Sequence, residues 1–246
     1  ARGEHLSRRL AVPFHNGVIS QFAGYEHLAE LDWGAYRDRY GNIGRLDLIL
    51  EAEGDTTNRY RLAKQADVIM LLYLLGPSEL MATLGRLGYP ADQNLLARTV
   101  DYFLARTAHG STLSRVVHAS ALAQMDTLRS WATFREALVA DLDDTQGGTT
   151  GEGIHLGAMA ATVDIVTRAF AGLRTDGDTV VFDPHLPRAL GSVRFGLVHR
   201  GQHLRVTLDH HSLIINADPG TTNSQLLVRQ GARTVAIPAG GTVTFQ

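Results

Sequence analysis

The sequence changes its grammar about two-thirds of the way along. All eight glutamates lie at or before Glu152, and none follows. Glutamate favours helices and is poor in strands. Up to about residue 172, apolar residues recur at helical spacing. From about residue 173, short β-rich runs take over: Thr179–Phe182, Ser192–Val198, Leu204–Leu208, Ser212–Ile215, Gln225–Val228, Thr234–Ile237 and Thr242–Phe245. Turn-forming residues separate them at Asp183-Pro184, Arg200-Gly201, Asp218–Gly220, Gly231 and Gly240-Gly241. Seven such runs at regular spacing predict an antiparallel β-sandwich.

In the first part the pattern predicts helices over Arg61–Leu75, Ser78–Leu87, Asp92–Ala108, Ser111–Met125, Thr127–Leu142 and Gly153–Leu173. Short connections make consecutive helices antiparallel neighbours. Arg61–Leu75 and Gly153–Leu173 are apolar around most of their surface, as buried helices are. Thr127–Leu142 is half polar, as an outer helix would be. Alternation of this kind predicts two concentric layers, as in an α/α barrel, although a helical solenoid would give the same local pattern. Residues 10–60 are mixed and turn-rich. The fold class expected is mainly α then β, with residues 1–174 and 175–246 as the two units.

Composition narrows the function classes. At 246 residues, a fold can bury about 70–75% of its unfolded surface and needs no staples. The absence of cysteine excludes disulfides, thiolate metal sites and cysteine nucleophiles, and fits a reducing, cytoplasmic setting. A formal net charge of −2 gives no electrostatic support for binding nucleic acid or anionic membranes. The longest apolar run, Val68–Leu75, is far short of the ~20 residues needed to span a bilayer. The chain starts at Ala1 without an apolar signal core and opens mid-pattern, so an upstream part is expected. Of 23 basic residues only one is a lysine, Lys64.

Three stretches put polar groups where a core pattern would exclude them. Lys64, Gln65 and Asp67 head the apolar helix predicted from Arg61. Burying an unpaired lysine is costly, so Lys64 either pairs with Asp67 at i,i+3 or, with Gln65, lines a polar pocket. His109-Gly110-Ser111-Thr112-Leu113-Ser114 is an N-cap, or an anion site in which hydroxyls and free helix N–H groups converge. Asp144–His155 carries four glycines between residues 147 and 153 and ends with His155 in the first turn of the last helix. It is a flexible capping loop, or a place of close backbone approach. No Gly-Lys-Ser/Thr follows, so it is not a nucleotide P-loop. The two N-termini and Lys64 look like parts of one anion-plus-sugar site.

Other patterns lead nowhere. His199 and His203, if on one strand, would stand about 13 Å apart, too far for one metal. There is no Gly-x-Ser-x-Gly elbow. Asp141, Asp143 and Asp144 read as a solvated helix end.

Four stretches together, Gln21-Phe-Ala-Gly-Tyr25, Lys64-Gln-Ala-Asp-Val68, His109–Ser114 and Thr150-Gly-Glu-Gly-Ile-His155, resemble glycoside hydrolase family 65. That family holds inverting phosphorylases of maltose, trehalose, kojibiose and related α-glucosides, with some hydrolases. The resemblance covers nearly the whole chain. It implies the later part of an (α/α)6 barrel followed by a C-terminal β-sandwich. It implies Lys64 and Gln65 on the transferred glucosyl unit, and phosphate on Gly110, Ser111, Thr112 and His155. Glu152 would be the base in a hydrolase. The implied partners are a disaccharide, inorganic phosphate as co-substrate and the upstream part of the same enzyme, with homodimerisation left open and no organic cofactor or metal. The family's general acid has no counterpart here, and Ala23 stands where an acidic residue is expected. On that basis the chain looks like the C-terminal third of a longer enzyme, or a binding fragment without turnover of its own.

Overall fold

The computed structural model describes residues 9–89, 92, 94–219 and 225–246. The start of the pattern at residues 1–8 and the turn residue Gly220 lie outside them. A short hairpin comes first, β1 (Phe14–His15) with β2 (Val18–Ile19). Helices follow: α1 (Trp33–Tyr40), α2 (Leu46–Ala52), α3 (Met70–Arg86), α4 (Leu95–Leu104), α5 (Thr112–Leu122), α6 (Thr127–Leu138) and α7 (Leu156–Asp164). Two of the predicted helices are fused in α3, which bends at Gly76 (φ 74°) just before Pro77. Glycine tolerates that dihedral and proline lacks the N–H a straight helix would need.

The enclosed helix is α5. It packs against α3, α4, α6 and α7, and Val116, Val117, His118, Ala119 and Leu122 are all essentially inaccessible. Small residues let its neighbours approach closely. This corrects the expectation that Arg61–Leu75 and Gly153–Leu173 are the buried helices. The first begins only at Met70. The second begins at Leu156 and leaves Ile154, Leu156 and Val163 exposed. After α7 the backbone widens into a π-helical turn, Ile165–Phe170, whose Ile165 and Phe170 close a core with Phe134 of α6.

Gly172 (φ 66°) makes the sharp exit into β3 (Arg174–Asp176). The remaining strands are β4 (Thr179–Phe182), β5 (Ser192–His199), β6 (Gln202–Asp209), β7 (Leu213–Ala217), β8 (Leu226–Gln230), β9 (Arg233–Ile237) and β10 (Thr242–Phe245). They form two four-stranded sheets, ordered β10-β7-β6-β5 and β3-β4-β8-β9. Alternate residues turn inward on β6 and β7 (Leu204, Val206, Leu208; Leu213, Ile215, Ala217). They meet Val180, Phe182, Leu226 and Val228 of the other sheet in one core. One pairing departs from the antiparallel expectation: β4 runs parallel to β8. His199 and His203 lie on opposite arms of the β5–β6 hairpin, not on one strand.

Candidate functional site

Lys64 is not on a helix. Ala63 bridges to Thr107 in the segment before α5, Lys64 and Gln65 form a bend, and a turn over 67–69 leads into α3. Ala63 N donates to Arg106 O (2.8 Å), Ala108 N to Ala63 O (2.9 Å) and Gly110 N to Lys64 O (3.0 Å). Those bonds take the groups a helix would have used. The Lys64 side chain, 45% exposed, donates from Nζ to Asp47 Oδ2 at 2.7 Å. The expected Lys64–Asp67 pair is therefore replaced by a partner on α2. Burial alone would raise the Asp47 carboxyl pKa, but hydrogen bonds from Lys64 and Arg45 outweigh it and hold the pKa below the usual carboxylate value. Asp67 instead accepts from Gln21 Nε2 at 3.0 Å, and burial raises its pKa. Gln65 is exposed beside them.

The loop before α5 approaches Lys64 so closely that residue 110 has no room for a side chain. A Cβ there would lie 2.8 Å from Gly44 O and 3.1 Å from Lys64 Cγ. His109 adopts a left-handed backbone (φ 55°), and its Nδ1 is 2.9 Å from Ser114 Oγ. His118 donates from Nδ1 to Ser114 O at 2.9 Å, and its ring meets His109 edge-on. Burial, with His118, Arg115 and Arg37 nearby, pushes the His109 pKa down to about 3. Burial lowers His118 as well. Both rings are thus neutral supports at neutral pH. Ser111 stands at the N-cap of α5, yet its hydroxyl makes no cap bond. The plain capping alternative therefore leaves the hydroxyl uncommitted, beside first-turn N–H groups that a helix cannot satisfy internally. Thr112 is buried next to it.

The glycine-rich stretch is pinned rather than loose. Gln146, buried, donates from Nε2 to His109 O at 3.1 Å. Asp144 (φ 45°) accepts Thr150 N at 3.2 Å. Gly148 (φ 97°) and Gly153 (φ 143°) bracket the turn Thr149–Glu152. His155 is the N-cap residue of α7, one position before its first turn. Its Nδ1 and backbone N–H both reach Asp141, at 2.5 and 2.9 Å. Asp141 is consequently not a solvated helix end. Its carboxyl pKa is lowered chiefly by the His155 hydrogen bond. Glu152 is exposed on the same turn.

Hydrogen bonds link three of the four stretches and the glycine-rich loop that leads to the fourth. Gln21 holds Asp67 (3.0 Å), the Lys64 carbonyl holds Gly110 (3.0 Å), and the His109 carbonyl holds Gln146 (3.1 Å). Asp47 and Asp141 are the two participants sequence reasoning passed over. Asp47 sits in the mixed early stretch, and Asp141 carries no motif of its own. Among the described residues no group of three or more His, Asp or Glu side chains could hold a metal, and no helix is long and apolar enough to cross a membrane.

Known proteins resemble this chain in sequence and in fold. An uncharacterized glycosyl hydrolase of Mycobacterium tuberculosis is 52% identical over 88% of this chain, which spans 16% of that relative. Trehalose 6-phosphate phosphorylase of Lactococcus lactis is 36% identical over 94% of the chain, which spans 29% of it. A solved chain from the human microbiome, provisionally named a kojibiose phosphorylase, superposes with a TM-score of 0.75 over 98% of the chain at 21% identity, and is covered to 31%. Residues 1–164 match the glycosyl hydrolase family 65 central catalytic domain and residues 173–234 the C-terminal domain of the same family. The chain belongs to glycosyl hydrolase family 65.

Proposed function

We propose that this chain contributes the phosphate-binding and glucosyl-binding side of an inverting phosphorylase that cleaves an α-glucosidic disaccharide of the trehalose or maltose type. Residues 1–174 are read as the later part of an (α/α)6 barrel, and 175–246 as its C-terminal β-sandwich. The observation that supports the reading is the set of hydrogen bonds from Gln21 to Gln146, which links three of the separated stretches and the loop that leads to His155. Relatives include α,α-trehalose phosphorylase of Geobacillus stearothermophilus (28% identical over 69% of the chain) and kojibiose phosphorylase of Escherichia coli (28% over 86%).

In this reading Lys64 and Gln65 donate to the transferred glucosyl unit. The Gly110 backbone, the Ser111 and Thr112 hydroxyls and His155 hold inorganic phosphate, the co-substrate. Phosphate attacks the anomeric carbon from one face. A carboxylic acid protonates the leaving sugar from the other, and the configuration inverts. Phosphate is already an anion, so these residues supply donors and positive potential instead of a base. The general acid comes from a part of the enzyme upstream of these residues, because no glutamate here fits its motif.

Calorimetric titration of the chain with phosphate tests the site. Binding is expected, with Ser111→Ala and His155→Ala each about 10-fold weaker, the scale of one charge-assisted hydrogen bond. No binding by the wild-type chain would overturn the phosphate site. A second reading, hydrolysis with Glu152 as the base, draws on the exposure of that carboxylate beside the same turn.

A further inference from the structure

The geometry points to Asp141 as the positioning residue of His155, acting on phosphate only through that ring. This deepens the phosphorolysis reading and rests on it. The Asp141 side chain is 8% exposed against 30% for His155, so the carboxylate is shielded where the imidazole is open. Its oxygens are already committed. Oδ2 accepts the His155 backbone N–H at 2.9 Å, and Oδ1 accepts from Nδ1 at 2.5 Å and from Thr150 Oγ1 at 3.4 Å. A carboxylate so occupied is not itself a ligand-binding group. Holding both the backbone and the ring of one residue, it fixes where the ring points and commits Nδ1 to carrying a proton. The outward nitrogen is then Nε2, which lies 3.5 Å from Thr149 Oγ1 over the turn Thr149–Glu152. A carboxylate bound to one ring nitrogen also balances the charge of an imidazolium, the form that offers Nε2–H to an anion.

The test is phosphate titration of the 246-residue chain in four forms: wild type, Asp141→Asn, His155→Gln and the double variant. Asp141→Asn is expected to weaken phosphate binding by about 10–100-fold, the range for a lost hydrogen bond to a charged group. Asp141→Glu should recover part of the loss. In the His155→Gln background, Asp141→Asn should add less than about twofold, because its route to the ligand is already gone. Asp141→Asn binding within twofold of wild type, or losses that multiply in the double variant, would overturn the inference. A wild-type chain that binds no phosphate would instead overturn the phosphate reading, and the inference with it, before any variant is compared. A nitrogen-15 spectrum of the wild-type imidazoles gives a check that requires no variant to fold. His155 should show a protonated Nδ1, and an unprotonated Nδ1 contradicts the assignment.

Discussion

At the scale of single residues, Gly110 and His109 carry the clearest consequences. A methyl group at residue 110 would meet the Gly44 carbonyl at 2.8 Å and the Lys64 stem at 3.1 Å. Overpacking of this kind costs about 1–3 kcal/mol. Gly110→Ala should therefore lower the urea midpoint modestly and weaken phosphate binding at least several-fold, since it separates the loop from Lys64. Unchanged phosphate affinity would show that the close approach is irrelevant to the site. His109 is held neutral by burial, its pKa near 3 against an ordinary 6.5. The unfolded chain takes up a proton below 6.5 that the folded chain refuses until about 3. Folding stability should thus fall as pH drops through that window, by up to about 1.4 kcal/mol per pH unit for this one group. Urea unfolding at pH 7 and pH 4.5 should show a smaller difference in His109→Gln than in wild type. His118, shifted the same way, keeps the difference above zero. An unaltered pH dependence in the variant would refute the buried neutral imidazole.

Sequence legibility differs sharply among such residues. Lys64, Ser111 and His155 stood out because each breaks a local pattern. Asp47 and Asp141 did not, because an acidic residue near a helix end is ordinary until its partner is known. Both partners lie elsewhere in the chain, Lys64 for Asp47 and His155 for Asp141.

At the scale of elements, tertiary pairing overrode periodicity. The apolar pattern from Arg61 reads as a helix, but bridging to Thr107 draws Ala63 into extended backbone and defers the helix to Met70. Nothing within residues 61–75 signals that partner. The exit from the last helix shows the same override. Gly172 sits with φ 66°, and a Cβ there would fall 1.8 Å from Asp183 O. No side chain fits without moving β3 away from the segment after β4. Gly172→Ala combines a left-handed backbone cost with overpacking, each of order 1–3 kcal/mol. A loss of roughly 2–5 kcal/mol is expected by urea unfolding, and a loss under 1 kcal/mol would contradict the packing described.

At the scale of the whole molecule, the helix-to-strand switch was visible because composition changes with it. Among the described strands of the sandwich five pairings follow the antiparallel expectation, while the parallel β4–β8 pair was hidden, since strand order is not written in alternation. The chain spans 16% of the Mycobacterium tuberculosis relative and 29% of the Lactococcus lactis relative, and the proposed general acid lies outside it. The isolated chain is accordingly expected to bind phosphate without forming glucose 1-phosphate. Detectable glucose 1-phosphate from the pure chain would contradict the placing of the acid upstream. The central claim concerns the attacking group. It is tested most directly by following sugar release from the complete enzyme with and without inorganic phosphate. Phosphorolysis predicts release that requires phosphate and yields inverted, β-configured glucose 1-phosphate. Release as fast without phosphate, giving free glucose and abolished by Glu152→Gln, would contradict it and leave hydrolysis as the reaction.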